Sequence, residues 1–514
     1  MDNLRELVYI VSKQKVKKIE IIGNPGNKNS KMNELYEAIH NGEVSTDEEA
    51  AQLIYDTNAN DVNYKKLKYR LQNRLINTIF FIDTSKPSFN EYTRAFYSTH
   101  KAQLAIAILL GRNARKPAID LAQRTLRVAM KYEFSEITLE LCKRLRRHYG
   151  AMEGNIKKFN EYNELTKKYS KLVQAELIAD EYCQRLTLPF AKSKANADDE
   201  LKQLAIQFEK ELLKYTDEMH SFNLNLYAYT VYVLRYELFR DFKNMLLVCE
   251  KAIEYMESRP FKNRKSFHFL YRKLICHIQL RQFEEGEATA EKCLEMYSMR
   301  FEGSYNWFII IELYMILSFY AKNYQKTIEL LQIAKPKLKS STTHPRIKEK
   351  WKIYEAFTHY FIKIGKVKPD PSFEKNIKRF RISKFLNDVP TFSSDKRGLN
   401  ITILIIQVLF LLHRKDYDVV IDKVEALDAY CYRYLRKDET FRSNCFIKML
   451  LELPKTGFNK QRVIRRSEKY LKKLQSADAE RTANTILVEI VPYEDLWGDI
   501  LNSLENKDRI RARP

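Results

Sequence analysis

An aromatic residue that follows a short polar turn recurs at a fixed interval in the middle of this chain. Phe242, Phe283 and Tyr324 follow one another at intervals of 41 residues, and Tyr417 has the same local setting farther along. Small or apolar residues stand three, seven and ten positions after each aromatic: Met245, Cys249 and Ala252; Gly286, Ala290 and Cys293; Thr327, Leu331 and Ala334; Val420, Val424 and Leu427. That spacing places them on one helix face. Each interval therefore predicts a helical hairpin that stacks on its neighbours.

The scarcity of turn-forming residues supports the same fold class. The chain has 12 Gly and 13 Pro in 514 residues, about 5% of the chain, whereas an average protein has about 12%. β-Sandwiches, barrels and glycine-looped nucleotide folds need more of both. Counting by the same interval leads back to Leu201, Phe159 and Ala118, and forward to a break at 364–367. We therefore expect an all-α protein, an α-solenoid of stacked helical hairpins.

The second helix of each predicted hairpin resembles that of the tetratricopeptide repeat family. That family has an aromatic residue, a small residue at +3, an aromatic or apolar one at +7, a small one at +10 and often a Pro soon after. Pro260 and Pro336 take the place of that Pro after Phe242 and Tyr324. The resemblance covers roughly residues 93–370, with 399–440 as a possible extension. It implies a concave groove, lined by the first helix of each hairpin, that holds a peptide or a protein helix.

Two departures from the tetratricopeptide pattern affect the expected curvature. The interval is 41 residues rather than the 34 of that family. Bulky residues, namely Val233, Leu274 and Met315, stand where the first helix of the family usually has a small one. HEAT-type repeats have a period of about 40–47 residues and are the alternative architecture.

The composition along the chain predicts four segments. Residues 1–92 form a small helical domain with a net charge of zero, and residues 93–386 form the solenoid. Residues 387–398 form a linker with Pro, Ser and Gly, and residues 399–514 form a helical C-terminal cap with a basic tail.

Several local signals lie within the end segments. Thr46 and Glu49 form a predicted capping box, followed by a longer basic helix from residue 64 to residue 80. This order is also the outline of a helix-turn-helix DNA reader, although the break between the helices is long for that motif. The apolar run 399–412 is shorter than the roughly 20 residues of a membrane span and predicts a buried helix. The β-branched run 485–491 predicts one strand or an extended segment.

Positive charge is the main functional signal in the sequence. The net charge is +23, and two strips carry much of it: residues 101–147 with 11 basic and 4 acidic side chains, and residues 335–384 with 15 and 4. Such density attracts anionic partners. The candidate anion-binding residues are Arg112, Arg115, Lys116, Arg144, Arg146, Arg147, Lys348, Lys350, Lys352, Arg379 and Arg381. Trp351, Tyr354, Phe357 and Phe361 share a helix face in the second strip, which favours core packing over stacking on bases.

No catalytic, metal-binding or cofactor motif is recognisable. The loop 23–31 lacks the GxxxxGK[ST] order of a phosphate loop, and Glu355 and His359 form an isolated pair without further ligands. Seven scattered Cys without a CxxC pair favour reduced thiols in a cytosolic protein. The first residues lack the basic start and apolar core of a secretion signal. We expect a non-enzymatic, cytoplasmic protein without cofactor, catalytic residues, metal or membrane attachment.

These observations favour an interaction scaffold that holds an acidic peptide or protein partner in a basic helical-repeat groove. The alternative is a nucleic-acid-associated protein that uses the two basic strips. A third possibility is an enzyme with an unfamiliar site, which would need a pocket that brings several His and carboxylates together.

Overall fold

A computed structural model describes Leu4, Val8 and residues 30–81, 84, 89–192, 199–261, 266–339, 345–369, 380, 382–387, 399–434, 441–476 and 489–504. Within these ranges the chain is helical and holds no β-strand, so the predicted all-α fold is confirmed. Contacts divide the chain into a first unit, residues 1–173 and 260–263, and a second unit, residues 174–259 and 264–514. This division differs from the predicted boundary at residue 92, which stays a prediction.

The first unit begins with three helices that enclose a core of their own, to which Leu4 and Val8 also belong. The predicted capping box is confirmed: the Thr46 hydroxyl accepts from the Glu49 N–H at 3.2 Å, and the Glu49 carboxylate accepts from the Thr46 N–H at 3.1 Å. Three helices and one turn of π-helix, His148–Met152, follow. The helices are α1 (Lys31–Asn41), α2 (Asp47–Tyr55), α3 (Val62–Ile79), α4 (Glu91–Gly111), α5 (Arg115–Lys131) and α6 (Ser135–Arg147), and then α7 (Ile156–Lys192), whose C-terminal half belongs to the second unit.

The second unit continues as a series of helices that pack in chain order. They are α8 (Asp199–Glu218), α9 (Phe222–Leu238), α10 (Phe242–Glu257), α11 (Phe267–Leu280), α12 (Phe283–Phe301), α13 (Tyr305–Tyr320), α14 (Tyr324–Leu338), α15 (Pro345–Lys363), α16 (Ile382–Asn387), α17 (Leu399–Arg414), α18 (Tyr417–Tyr434), α19 (Phe441–Lys455), α20 (Lys460–Ser476) and α21 (Tyr493–Ser503). From α8 to α15 each helix contacts the next, and α17 to α20 do the same. This is the packing of an α-solenoid.

The aromatic markers coincide with helix starts, as predicted. Helices α10, α12, α14 and α18 begin at the four marker residues, and every residue of the predicted stripes is buried. Gly286 explains why small residues are needed there. A Cβ atom at this position would lie 3.0 Å from Leu317 Cδ1 and 3.2 Å from His277 Cβ. The stripe therefore permits close approach of the first helices of two hairpins to the second helix between them.

The turns between the paired helices are made without glycine. Arg240, Arg281, Lys322 and Lys415 adopt φ between 57° and 61°, each two positions before a marker aromatic. A left-handed backbone costs a residue with a side chain about 1–2 kcal/mol. The chain thus makes tight turns despite its scarcity of Gly, and the packing of the hairpins offsets the strain.

Helix α17 is the predicted buried helix, because its described side chains from Ile401 to Leu412 are almost all buried. Among the described helices, none combines the length and apolarity needed to cross a membrane. Of the predicted linker, Asn387 ends α16 and 388–398 lie outside the described residues. Residues 485–488 of the predicted extended segment also lie outside them, and 489–491 are irregular before Pro492 and helix α21.

A buried arginine joins three parts of the C-terminal region. Arg442, at the start of α19, donates to the Glu489 carboxylate at 2.7 and 2.8 Å and to the Glu494 carboxylate at 2.8 Å. It also donates to the Leu474 carbonyl at 2.6 Å. The Tyr320 hydroxyl of α13 donates to the Glu489 carbonyl at 3.0 Å. These bonds fix the start of α21 against helices that lie far away in the sequence.

Candidate anion-binding cleft

A cleft with a volume of about 1010 Å³ opens in the first unit. It is formed by the end of α4, the first turns of α5, the last turns of α6, the π-helical turn and the start of α7. Its walls include Leu110, Arg115, Ile119, Glu140, Lys143, Arg144, Arg146, Arg147, His148, Gly150, Met152, Ile156 and Phe159. All of these residues lie within the first unit.

The π-helical turn shapes the floor of the cleft. At Gly150 a Cβ atom would lie 2.7 Å from Phe159 Cδ2, so only glycine leaves that ring in its place. Tyr149 anchors the turn from below: its ring stacks on Tyr162 at 5.5 Å, and its hydroxyl accepts from Gln123 at 2.6 Å. π-Helical turns are rare and occur frequently at functional sites.

Cations dominate the charge of the cleft. Five basic side chains line it, whereas Glu140 is the single carboxylate among the described lining residues. Glu140 is already engaged, because it accepts from Lys143 at 3.2 Å and from Arg144 at 3.0 Å. His148, also in the wall, contacts the Glu153 carboxylate at 2.9 Å.

The remaining three guanidinium groups have no carboxylate partner in the described chain. Arg115 donates to the Met152 sulfur at 3.0 Å, and Arg146 donates to the Asn163 side-chain oxygen at 3.0 Å. Arg147 is exposed, and no hydrogen bond or ion pair is found for it within the described residues. The cleft therefore presents uncompensated positive charge to an incoming ligand.

The structure brings part of the first predicted strip together. Arg115, Arg144, Arg146 and Arg147 line the cleft, whereas the nearby Arg112 and Lys116 are exposed and are not part of its wall. Lys143, a neighbour in the same strip, was not among the candidates and joins them in the cleft. The sequence does not identify Gly150, Met152 or Phe159 as cleft residues, because that role depends on the π-helical turn; Phe159 is predicted only as a position of the 41-residue interval.

Part of the second predicted strip is engaged in internal ion pairs. The Lys350 ammonium contacts the buried Glu312 carboxylate, and Lys335 and Lys337 pair with Glu355 and Glu302. Lys348 is half-buried and Lys352 is exposed. Arg379 and Arg381 lie outside the described residues.

The aromatic face of the second strip belongs to the core. Trp351, Tyr354, Phe357 and Phe361 are each at most 1% exposed. The preference for core packing is confirmed, and stacking on bases by these four rings is excluded.

The first helices of the hairpins leave little free groove surface. Nearly all of α13 is buried, including Met315, and the bulky Val233 and Leu274 on α9 and α11 are buried as well. An ion pair also joins Arg272 to Glu237 across α11 and α9 at 3.6 Å. In the described part of the second unit, these surfaces contact other helices of the chain.

The described residues contain no group of three or more potential metal ligands. Glu355 pairs with Lys335 instead of sharing a ligand with His359, whose ring stacks on Phe380 at 4.8 Å. Burial raises the pKa of the Cys142 thiol to about 11 and that of Cys293 to about 12. Both thiols are protonated at neutral pH, as expected of small core residues.

Comparison of the chain with protein-family models, with curated proteins and with solved structures finds no match. The resemblance to tetratricopeptide repeats accordingly remains a prediction from the residues quoted above.

Proposed function

We propose that this protein is a non-catalytic helical-repeat scaffold that binds an acidic segment of a peptide or protein in the cleft of the first unit. One observation carries the proposal: four arginines predicted from sequence, together with Lys143, line one cavity that holds a single, already paired carboxylate. A cavity lined by one sign of charge concentrates ligands of the opposite sign and speeds their association.

The apolar part of the wall favours a peptide over a simple ion. Ile156 is 75% exposed and Met152 is 56% exposed, and Leu110 and Phe159 line the same cavity. An acidic segment that also carries apolar side chains buries these surfaces and gains affinity from them, while the cations orient it.

Three observations favour a protein partner over nucleic acid. Lys335, Lys337 and Lys350 are occupied by carboxylates. The aromatic rings beside them are buried and unable to stack on bases. Five basic side chains of the first strip line a single cleft, whereas binding of a nucleic-acid backbone uses a groove that follows the strand.

We place the scaffold in the cytoplasm. The six described cysteines carry free thiols, and five of them are buried, which suits a reducing compartment.

A binding titration tests the proposed function. Fluorescence anisotropy of a labelled peptide of alternating Glu and Leu is measured across a salt series with the full chain, beside single-stranded RNA and duplex DNA. The double variant Arg146→Glu/Arg147→Glu reverses two cations of the cleft. The matched control is Arg127→Glu, an exposed arginine on α5 outside the cleft wall.

We expect the cleft variant to weaken peptide binding at least tenfold and the control to change it less than threefold. Equal losses in the two variants would refute a role for the cleft. Tighter binding of RNA or DNA than of the peptide, with a steep salt slope that the cleft variant removes, would favour the nucleic-acid alternative.

A further inference from the structure

For three arginines of the cleft, the described residues supply no carboxylate partner. These arginines define the preferred ligand more narrowly than the net charge of the cleft does. Lys143 and Arg144 are held by Glu140. One carboxylate offsets only one of these two charges, so most of the positive charge that remains for a ligand resides on Arg115, Arg146 and Arg147. Arg115 contacts a sulfur atom and Arg146 contacts an amide oxygen. Both partners are neutral, so they do not compensate the charge of either arginine.

Guanidinium and ammonium groups differ in which anions they favour. A guanidinium presents its N–H donors as a planar fork that binds two oxygens of one anion, while an ammonium acts as a point charge. A carboxylate offers two oxygens and one negative charge. A phosphate monoester offers three acceptor oxygens and a charge of about −1.5 to −2 at neutral pH. Three arginine forks line the cleft, and a phosphate group, which has one more acceptor oxygen and a larger charge than a carboxylate, engages more of them at once.

We infer that the cleft recognises a phosphorylated serine or threonine within an acidic peptide, with the phosphate held by Arg115, Arg146 and Arg147. This inference rests on the proposed function, because it names the ligand class of the same cleft. The apolar wall made by Met152, Ile156 and neighbouring residues receives the side chains that flank the modified residue. This wall is why the ligand is a phosphopeptide rather than a free phosphate ester.

The test compares three peptides of one sequence that differ at a single position, with Ser, phosphoserine or Glu. Inorganic phosphate, adenosine monophosphate and single-stranded RNA are the competing ligands. We expect the phosphoserine peptide to bind at least tenfold more tightly than the Glu peptide. Inorganic phosphate and the nucleotide are expected to compete only at concentrations at least a hundredfold above that of the phosphopeptide.

Arginine-to-lysine variants separate fork geometry from charge. Arg146→Lys and Arg147→Lys keep the positive charge but remove the planar fork. We expect both the Glu and the phosphoserine peptide to bind more weakly to these variants, with the larger loss for the phosphoserine peptide. The advantage of the phosphoserine peptide should fall from at least tenfold to threefold or less. Arg115→Lys provides a third, independent position, and Arg127→Lys is the matched control on α5. Circular dichroism of each variant verifies that the helices are intact.

Each outcome decides between this inference and the proposed function. Equal binding of the phosphoserine and Glu peptides overturns the inference and leaves the acidic-peptide function standing. Loss of binding to all three peptides overturns both. Preference for adenosine monophosphate or RNA over the phosphopeptide also overturns the inference, as does an unchanged phosphoserine advantage in all three lysine variants.

Discussion

The buried arginine of the C-terminal region provides the sharpest test of how the second unit is held together. Arg442 is 4% exposed, and its main partner Glu489 is 3% exposed. Truncation of Arg442 to alanine removes the cation and leaves the buried Glu489 carboxylate without its positively charged partner. Breaking a buried ion pair by removing one partner costs about 3–5 kcal/mol. This cost falls mainly on the attachment of α21, because two of the three partners that Arg442 loses, Glu489 and Glu494, lie just before α21 and in its first turn.

Native-state hydrogen exchange measures this attachment directly, since the amides of α21 exchange when the helix opens. At about 1.36 kcal/mol per factor of ten, the lower bound of 3 kcal/mol predicts exchange at least about 150-fold faster over residues 493–503 in Arg442→Ala. Helix α10, which has no bond to Arg442, should change less than threefold. Arg466→Ala is the matched control, because this arginine is exposed and lies 3.7 Å from Glu452, and exposed pairs contribute about 0–1 kcal/mol.

Acceleration of less than fivefold over residues 493–503 in Arg442→Ala would refute the reasoning. The double variant Arg442→Met/Glu489→Gln distinguishes a buried charge from lost packing. It removes the arginine and its most buried carboxylate partner, and leaves only the partly exposed Glu494 charged. We expect it to recover at least half of the lost free energy of opening.

Three further predictions concern stability. Gly286→Ala should lower the free energy of unfolding by about 1–3 kcal/mol because the new methyl group meets Leu317 and His277. Gly498→Ala should raise it by about 0.5–1 kcal/mol, because among the described residues its methyl group meets no atom within 4 Å apart from its own helix backbone and chain neighbours. Equal effects of the two variants in thermal unfolding would contradict this argument. Arg240 has a φ of 58°, which glycine adopts without strain, so Arg240→Gly should stabilise the protein by up to about 1 kcal/mol. The β-branched side chain of Arg240→Val should destabilise it. The order of the two thermal unfolding midpoints tests this prediction. The pKa of Asp47 is lowered to about 2: burial opposes this shift, but hydrogen bonds from Lys68 and Tyr64 outweigh it. The ionised Asp47 carboxylate therefore stabilises the fold fully above the unfolded pKa of about 3.9, and this contribution is lost as pH falls towards 2. Asp47→Asn should accordingly lose less helical ellipticity between pH 5 and pH 2 than the unmodified chain.

The periodic features of the sequence predict the fold because they report burial locally. An aromatic residue and a 3-4-3 stripe suffice to locate the starts of α10, α12, α14 and α18, since a helix face depends only on spacing along the chain. The buried face of α15 follows from the same rule. The bulky Val233, Leu274 and Met315 are a departure from the tetratricopeptide pattern in the sequence, and in the structure all three are buried.

The candidate site is predictable only in part because charge alone does not reveal pairing. Lys350 and Arg147 look equivalent in sequence, yet Glu312, 38 positions before Lys350, neutralises the first and no described residue neutralises the second. Such long-range partners depend on which helices become neighbours. The π-helical turn likewise has no periodic signature in the sequence. The close contact of Gly150 with the Phe159 ring is therefore evident only in the three-dimensional structure.

The bond between Tyr320 and the Glu489 carbonyl spans 169 positions of the chain. During synthesis α13 therefore leaves the ribosome long before the residues that complete its surroundings. At a synthesis rate of about 5–20 residues per second, the face of α13 around Tyr320 remains uncovered for roughly 10–30 seconds. During this time it is accessible to chaperones and to premature association. A polypeptide released before Glu489 would retain most of its helices and still lack the closure that shields them.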